Sequence, residues 1–466
     1  MPPTRAPQPV EPWAGVRDAL HWTDVAPQIP GDRRHVYADL IMVDRNPSGM
    51  GEDNLSLNLW SPGLDPNAKK PVIVVLHGGG FYSGSGNSVG MDGEQMARFS
   101  DCVVIAINHR LGAFGFLHLA EFGGEDFATS GTVGMQDITA ALGWVRENVA
   151  AFGGDPARVL VYGQSGGGAK TSVLMAMPGA KGLFHRAGVM SGSALRMMPP
   201  EMASATAKRL MGALDIAPTD FRKLQEVPWT VLLETQAKLE AADRAKGEAP
   251  RSFAPVVDGI ALPRHPWAPD APDVSADVPM IVSSVLDERA YRMGDFAMDE
   301  AGLVEFARER VGDRAEEAVA AYREEDPDAK PFILAARLES DLTFRKGAFA
   351  QAELKAKQGG APVWTYLWTQ PSPAADGRFG AVHGIDVAPS LYNTRGALNG
   401  SSKEANELAA AIASSWAAFA ANGDPNNERV PQWKPYSPPE RATMIFDDNL
   451  RVEDDPRATF RRYWGP

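Results

Sequence analysis

The stretch VLVYGQSGGGAKT, Val159–Thr171, joins an apolar β-branched run to a cluster of glycines. Two kinds of site are built from such a junction. One is the phosphate loop Gly-x-x-x-x-Gly-Lys-Ser/Thr, whose backbone amides hold a nucleotide; the other is the nucleophile elbow Gly-x-Ser-x-Gly, which exposes a reactive serine. The phosphate loop fails by one residue. Counted from Gly163 its lysine belongs at 169, where Ala169 stands, and Lys170 comes one place too late to fold back over the β- and γ-phosphates. No apolar run ending in Asp comes after it to hold a metal. Gly163-Gln164-Ser165-Gly166-Gly167 fits the elbow. A serine in so tight a strand-to-helix turn needs glycine neighbours, because other chain passes where a Cβ would stand.

The pentapeptide alone is weak evidence, since a chain of this length and composition shows one by chance roughly one time in four. A second is present, Gly86-Asn87-Ser88-Val89-Gly90. No strand pattern leads into Ser88 and no helix pattern leaves it, so context selects Ser165.

Working outward, Val72–Leu76 (VIVVL) and Cys102–Ile107 (CVVIAI) are continuous apolar runs, as in strands buried on both faces of a parallel sheet. Met135, Ile138, Leu142, Val145 and Val149 recur at spacings of three and four, which predicts a helix ended by Gly153-Gly154-Asp155-Pro156. Strand Val159–Tyr162, the glycines, a short helix over Thr171–Met177 and strand Ala187–Met190 come next. The pattern is α/β: a central, mostly parallel twisted sheet with helices on both faces. Before Trp60, segments such as Leu55–Leu59 read as antiparallel edge strands. Residues 195–275 turn helical and methionine-rich (Met197, Met198, Met202, Met211), the expected helical insertion over the site within one domain spanning 1–466. Strands resume at Met280–Ser284 and Val363–Trp368. A late amphipathic helix (Leu408, Ile412, Trp416, Phe419) stops at Asn422-Gly423-Asp424-Pro425.

Bulk properties exclude several classes. With 466 residues, 44% hydrophobic and 23% charged, the chain can bury a sizeable core. Its 46 basic against 59 acidic residues give −13, which leaves no electrostatic footprint for nucleic acid or an anionic membrane surface. Cys102 is the only cysteine, so neither an internal disulfide nor a cysteine-based metal site can form, and its apolar surroundings make it a core thiol. No window approaches ~18 consecutive apolar residues, and the first residues lack the apolar segment of a signal peptide. A soluble protein is expected, cytoplasmic, or periplasmic or secreted if the start has been processed. The charge neither favours nor forbids an oligomer.

A serine hydroxyl is a poor nucleophile near neutral pH and needs an oxyanion hole, a base and an orienting acid. His77-Gly78-Gly79-Gly80-Phe81 comes directly after the run Val72–Leu76, the HGGG-type loop whose amides face a developing oxyanion. The N–H groups of Gly79, Gly80 and Gly166 make three donors; losing one costs roughly 2.7–4 kcal/mol in comparable sites. Hydrolases built this way run serine, acid, histidine along the chain. Of the eight histidines, that order removes His21, His35, His77, His109 and His118. His185 approaches a strand start and His265 lies between prolines, which leaves His383 on the glycine-flanked stretch after Val363–Trp368. The acid belongs after Met280–Ser284, where Asp287 and Glu288 both stand and spacing does not choose between them.

With these residues assembled, the chain resembles the type-B carboxylesterases, α/β-hydrolases that include para-nitrobenzyl esterases and cholinesterases. The resemblance runs through PQPVEPWAGVRDA, GEDNLSLNLW, HGGGFYSGS, NHRLGAFGFL, GMQDITAALGWVRENVAAFGGDP, YGQSGGG, LFHRAGVMSGSA, PVVDG, GAVHGIDVAP, FAANGDPN and ATMIFDD. It implies Glu288 as the acid, His383 as the base, and oxyanion donors at Gly79, Gly80 and Gly166. It departs from the family at Gln164, usually Glu, at Gly166, usually Ala, at Arg289, commonly Gly, and at Asn54, often a disulfide cysteine in secreted members. The activity this resemblance implies is two-step acyl transfer on a small-molecule ester, with no metal or organic cofactor. Phe81, Tyr82, Leu195 and Met197 are the expected substrate-pocket residues, mostly apolar. Two alternatives are an acyl- or thioester-processing relative with the same triad, and a non-catalytic binding homologue, which usually lacks the serine or the histidine.

Overall fold

The computed structural model describes residues 4–29, 40, 48–246, 253–395 and 398–464. His35 and residues 247–252 of the expected insertion lie outside them. In chain order come β1 (Leu57–Trp60), β2 (Lys70–Leu76), β3 (Val103–Ile107), α1 (Val133–Asn148), β4 (Gly154–Gln164), α2 (Gly166–Leu174) and β5 (Arg186–Met190). After these stand α3 (Pro200–Ala213), α4 (Trp229–Ala245), β6 (Met280–Val285), α5 (Glu300–Val311), α6 (Ala315–Glu325), α7 (Pro331–Ser340), α8 (Lys346–Gln358), β7 (Val363–Trp368), α9 (Lys403–Asn422), β8 (Ala442–Phe446) and β9 (Arg451–Asp454).

A strand buried on both faces sends alternate residues to opposite cores. In β2, Val72, Val74 and Leu76 enter one apolar cluster while Ile73 and Val75 enter another; β3 divides the same way, with Val104 and Ala106 beside Cys102 on the second side. Met135, Ile138, Leu142 and Val145 of α1 close the first cluster, and Leu408, Ile412, Trp416 and Phe419 of α9 close the second. At about 1.5–3 kcal/mol for each fully buried large apolar side chain, the sheet is held from both sides. Burial pushes the Cys102 thiol up to about 12, so it stays protonated, as a core thiol should.

The nine strands lie in the order β1-β3-β2-β4-β5-β6-β7-β8-β9. Only β1 with β3 and β8 with β9 pair antiparallel; every pairing between them is parallel. The chain therefore runs outward to β3 and returns to β4, so β2 and β4 are neighbours at the point where the winding reverses. Such a crevice, at the carboxyl ends of the strands, is where α/β sheets place their ligands. The loop after β3 is fixed to α1 by a buried pair: Arg110 donates to both carboxylate oxygens of Asp137, at 2.8 and 2.6 Å. The arginine of NHRLGAFGFL and the aspartate of GMQDITAALGW are thus structural partners.

Two expectations need correction. The helix placed at Thr171–Met177 begins at Gly166 and ends at Leu174: three glycines, poor helix formers, are helical because the chain packed against them leaves no room for side chains. The other is an omission. Between β6 and β7 stand four helices, α5 to α8, of which α5, α6 and α7 share a small core of their own (Leu303, Ala307, Ala318, Tyr322, Leu334, Leu338). Alanine supplies much of that apolar stripe, so the periodicity is faint in the sequence.

Candidate active site

Ser165 stands between β4 and α2 at φ 56° and ψ −118°, a strained backbone for a residue with a Cβ. Its N–H donates to Met190 O at 2.8 Å and its carbonyl accepts from Ala169 N at 2.9 Å. The surrounding glycines are there because backbone crosses at contact distance. A Cβ on Gly163 would lie 2.4 Å from Leu76 O, one on Gly167 2.0 Å from the same oxygen, and one on Gly192 2.2 Å from Ser165 O. Lys170 is fully buried and its Nζ donates to His77 O at 2.9 Å. The lysine that almost made a phosphate loop is committed to the interior, and burial lowers it to about 7.

Because β2 and β4 are neighbours, with Leu76 opposite Gly163, the glycine loop after β2 arrives beside the elbow. Gly79 and Gly80 take φ of 86° and 62°, and Gly79 O accepts from Ser83 N at 3.0 Å. Gly80 N stands 2.3 Å from where a Cβ on Gly166 would be, so glycine at 166, where alanine is usual, lets the loop close against the helix start. Neither Gly79 N–H nor Gly80 N–H donates to an acceptor among the described residues. The first amide of α2, on Gly166, has no partner within its helix. The amides of Gly80 and Gly166 therefore lie side by side at the positive end of a helix, with Gly79 one residue before.

The two carboxylates after β6 divide their work. Asp287 accepts from Arg337 Nε at 3.0 Å and from Ala381 N at 2.9 Å, while its own N–H donates to Ala381 O. It ties the loop carrying the histidine to the end of β6. Glu288 is fully buried; one oxygen accepts from Val285 N at 2.9 Å and the other lies 2.5 Å from His383 Nδ1. With Nδ1–H directed to Glu288, Nε2 is an acceptor, and Gln164 Nε2 donates to it at 3.1 Å. The imidazole therefore meets the residue next to Ser165.

Two aromatic neighbours of the imidazole are not foreseen from the sequence. Tyr291 stacks on His383 at 5.0 Å and 13°, and Phe344 lies tilted at 4.8 Å. Tyr291 stands three residues after the acid in a short helical turn, a spacing that could have signalled it. Phe344 comes from a π-helical turn, Asp341–Arg345, between α7 and α8; such turns favour functional positions, but nothing local in the sequence marks this one.

Phe81 packs edge-on against Phe116 at 5.4 Å, and Phe81, Leu195 and Met197 border the same apolar cluster. Tyr82, 45% exposed, lies over Gly80. His185 precedes β5, at the opposite end of the sheet, where its Nδ1 accepts from Val159 N at 3.4 Å. His265 Nδ1 accepts from Met197 N at 3.2 Å. His77 and His109 stack at 4.9 Å in the interior, both held well below the usual imidazole range by burial and then by Lys170. Among the described residues no three His, Cys, Asp or Glu side chains group to hold a metal ion, and no helix is long and apolar enough to cross a membrane.

A mostly parallel sheet carrying these groups at the carboxyl ends of its strands defines an α/β-hydrolase, and the chain belongs to the carboxylesterase family, which it matches over residues 4–464. It is 33% identical over 470 residues to the para-nitrobenzyl esterase of Bacillus subtilis (strain 168), spanning 98% of this chain and 90% of that one. With the phenmedipham hydrolase of Pseudarthrobacter oxydans it shares 32% identity over 459 residues, 95% of this chain and 88% of the other. Among solved structures, an esterase from anaerobic Clostridium hathewayi that can hydrolyze aliphatic aromatic polyesters superposes with a TM-score of 0.86 at 31% identity, covering 100% of this chain and 92% of its own.

Proposed function

We infer that this carboxylesterase acts by two-step acyl transfer at Ser165. His383 takes the hydroxyl proton as Ser165 Oγ attacks an ester carbonyl; the amides of Gly79, Gly80 and Gly166 receive the oxyanion; His383 protonates the departing alcohol. Water then repeats the sequence on the acyl-enzyme and releases the acid. Glu288 holds the imidazole in the tautomer whose Nε2 is an acceptor and stabilises the imidazolium. The observation that carries this reading is the 2.5 Å contact between Glu288 and His383 Nδ1, with the opposite nitrogen facing the residue beside a serine at positive φ.

Phe81, Leu195 and Met197 with Tyr82 favour a largely apolar pocket for small to medium esters, and relatives named for para-nitrobenzyl ester and phenmedipham hydrolysis agree with a small-molecule substrate. The expected results are turnover of para-nitrophenyl acetate and butyrate, and stoichiometric labelling of Ser165 by an organophosphonate with loss of that turnover. A label on another residue, or full turnover after labelling, would overturn the reading.

A further inference from the structure

Beyond the imidazole, on the side of the base, the site carries a positive charge that ester hydrolysis itself does not use. Tyr291 stacks on His383 with one face, and Arg292 places its guanidinium carbon 5.3 Å from the centre of the Tyr291 ring. Burial acts to lower the Arg292 guanidinium, but the Tyr291 and Tyr82 hydroxyls outweigh it and hold the group above its usual range. Tyr82 belongs to the opposite wall: its ring lies against Gly80, 2.6 Å from where a Cβ on that glycine would be. Arg292 thus bridges the rim between the base and the glycine loop, one aromatic ring away from the imidazole.

Among the described residues the charge is not spent on a carboxylate. Neighbouring arginines are paired, Arg289 with Glu339 and Arg337 with Asp287, but no Asp or Glu among the described residues stands within 4.0 Å of Arg292, which is exposed. In a chain with 59 acidic residues and a net charge of −13, an arginine beside the site with no carboxylate partner among the described residues is informative. A guanidinium flanked by two phenol hydroxyls presents several donors to one place, the arrangement that binds a carboxylate. It lies on the side of the imidazole, and the group that the imidazole protonates is the leaving alcohol.

We propose that Arg292, Tyr82 and Tyr291 form an anion subsite for the alcohol portion of the substrate, so that the preferred esters carry a carboxylate on the leaving group. The proposal rests on Ser165 chemistry at this site and adds the charge of the ester it takes. A phenol or aliphatic alcohol bearing a carboxylate several bonds from the ester oxygen would reach the guanidinium while the acyl group occupies the apolar side.

The test compares 4-acetoxybenzoate with 4-acetoxybenzamide, which share an acetyl group and an aryl leaving group and differ in charge. Steady-state kcat/KM is measured for the wild type, Arg292→Met and Arg292→Lys, at low ionic strength and with added sodium chloride. The expected result is a benzoate-to-benzamide ratio that falls roughly fivefold to tenfold in Arg292→Met, is largely kept in Arg292→Lys, and shrinks with salt in the wild type. A ratio that Arg292→Met leaves unchanged, or one indifferent to salt, overturns the subsite. Failure of Ser165 chemistry looks different: neither ester would be turned over by the wild type.

Discussion

Two pentapeptides of the same pattern, Gly163–Gly167 and Gly86–Gly90, fold into opposite things. Ser165 directly follows a buried parallel strand, takes φ 56° and caps the start of a nine-residue helix. Ser88, at φ −61° and ψ 141°, is buried and caps a three-residue turn, its Oγ accepting from Gly90 N at 3.3 Å. The amide side chain before each serine shows the contrast again. Gln164 reaches the catalytic candidate His383, whereas Asn87 Oδ1 accepts from Asn58 and Asn108 at 2.9 and 2.8 Å, stitching β1 to the loop after β3. The elements on either side of the pattern decide its use: a strand that delivers the serine to a sheet end, and a helix that starts there with its amides unpartnered.

The sharpest way to break this contrast is to remove both hydroxyls. Ser165→Ala is expected to lower kcat for para-nitrophenyl butyrate by at least about 10⁴-fold. Ser88→Ala should leave kcat within about twofold and cost about 1 kcal/mol of stability for the lost cap. Equal losses of activity in the two variants would show that the elbow geometry has no special role. Next in size is the space around each motif. A Cβ on Gly167 would sit 2.0 Å from Leu76 O, but one on Gly86 would sit 3.0 Å from the backbone of Ala106 and Ile107. Gly167→Ala should therefore cost about 3 kcal/mol or more and Gly86→Ala about 1 kcal/mol, read from urea midpoints at constant slope. A reversed order would mean that the chain around the elbow yields more readily than its contacts imply.

The sequence nominates the elbow, the glycine loop and the base because each couples a local pattern to a strand end: apolar β-branched runs give the strands, and glycine marks where chains cross. The choice of Glu288 over Asp287 was not local. It depends on Arg337 from α7 taking the aspartate, a partner fifty residues away whose helix has no distinctive periodicity. Phe344 and Tyr291 stayed hidden for the same reason, since an aromatic against an imidazole reads like any other aromatic until the loops are placed. The expected limits hold for β7, Val363–Trp368, but not for β4, which begins at Gly154, because pairing with β2 extends the ladder past the apolar run.

The amides that precede the two serines allow a finer comparison. Gln164→Glu would put a carboxylate where an amide now donates to His383, favouring the imidazolium and moving the acid limb of the kcat/KM profile to higher pH. Asn87→Asp introduces the same charge beside Ser88. It should lower the urea midpoint, because a buried carboxylate accepts but cannot make the donations of Asn87 Nδ2 to Thr23 O and Ser48 Oγ, while the acid limb stays in place. If Gln164→Glu leaves the profile where it was, the 3.1 Å contact does not persist in the working enzyme.

The smallest expected effect concerns the position five residues beyond each serine, Lys170 in one case and Gly93 in the other. Buried without a carboxylate partner among the described residues, Lys170 is lowered from 10.5 to about 7 by desolvation, while its Nζ donates to His77 O. Between those pH values the unfolded chain holds a proton on this amine that the folded chain has released, so stability rises with pH through the window and is lost as pH falls toward 7. Lys355, lowered to about 8 by burial, adds a slope of the same sign. The informative quantity is therefore the difference between wild type and Lys170→Met, measured as unfolding free energy from about pH 7 to 10. That variant should gain on the wild type at the acid end and lose the advantage toward the alkaline end, although it forfeits the bond to His77 O. A difference that does not vary with pH would mean that Lys170 finds enough water inside the fold to keep its ordinary charge. The helix start behind the elbow would then be no drier than the loop around Ser88.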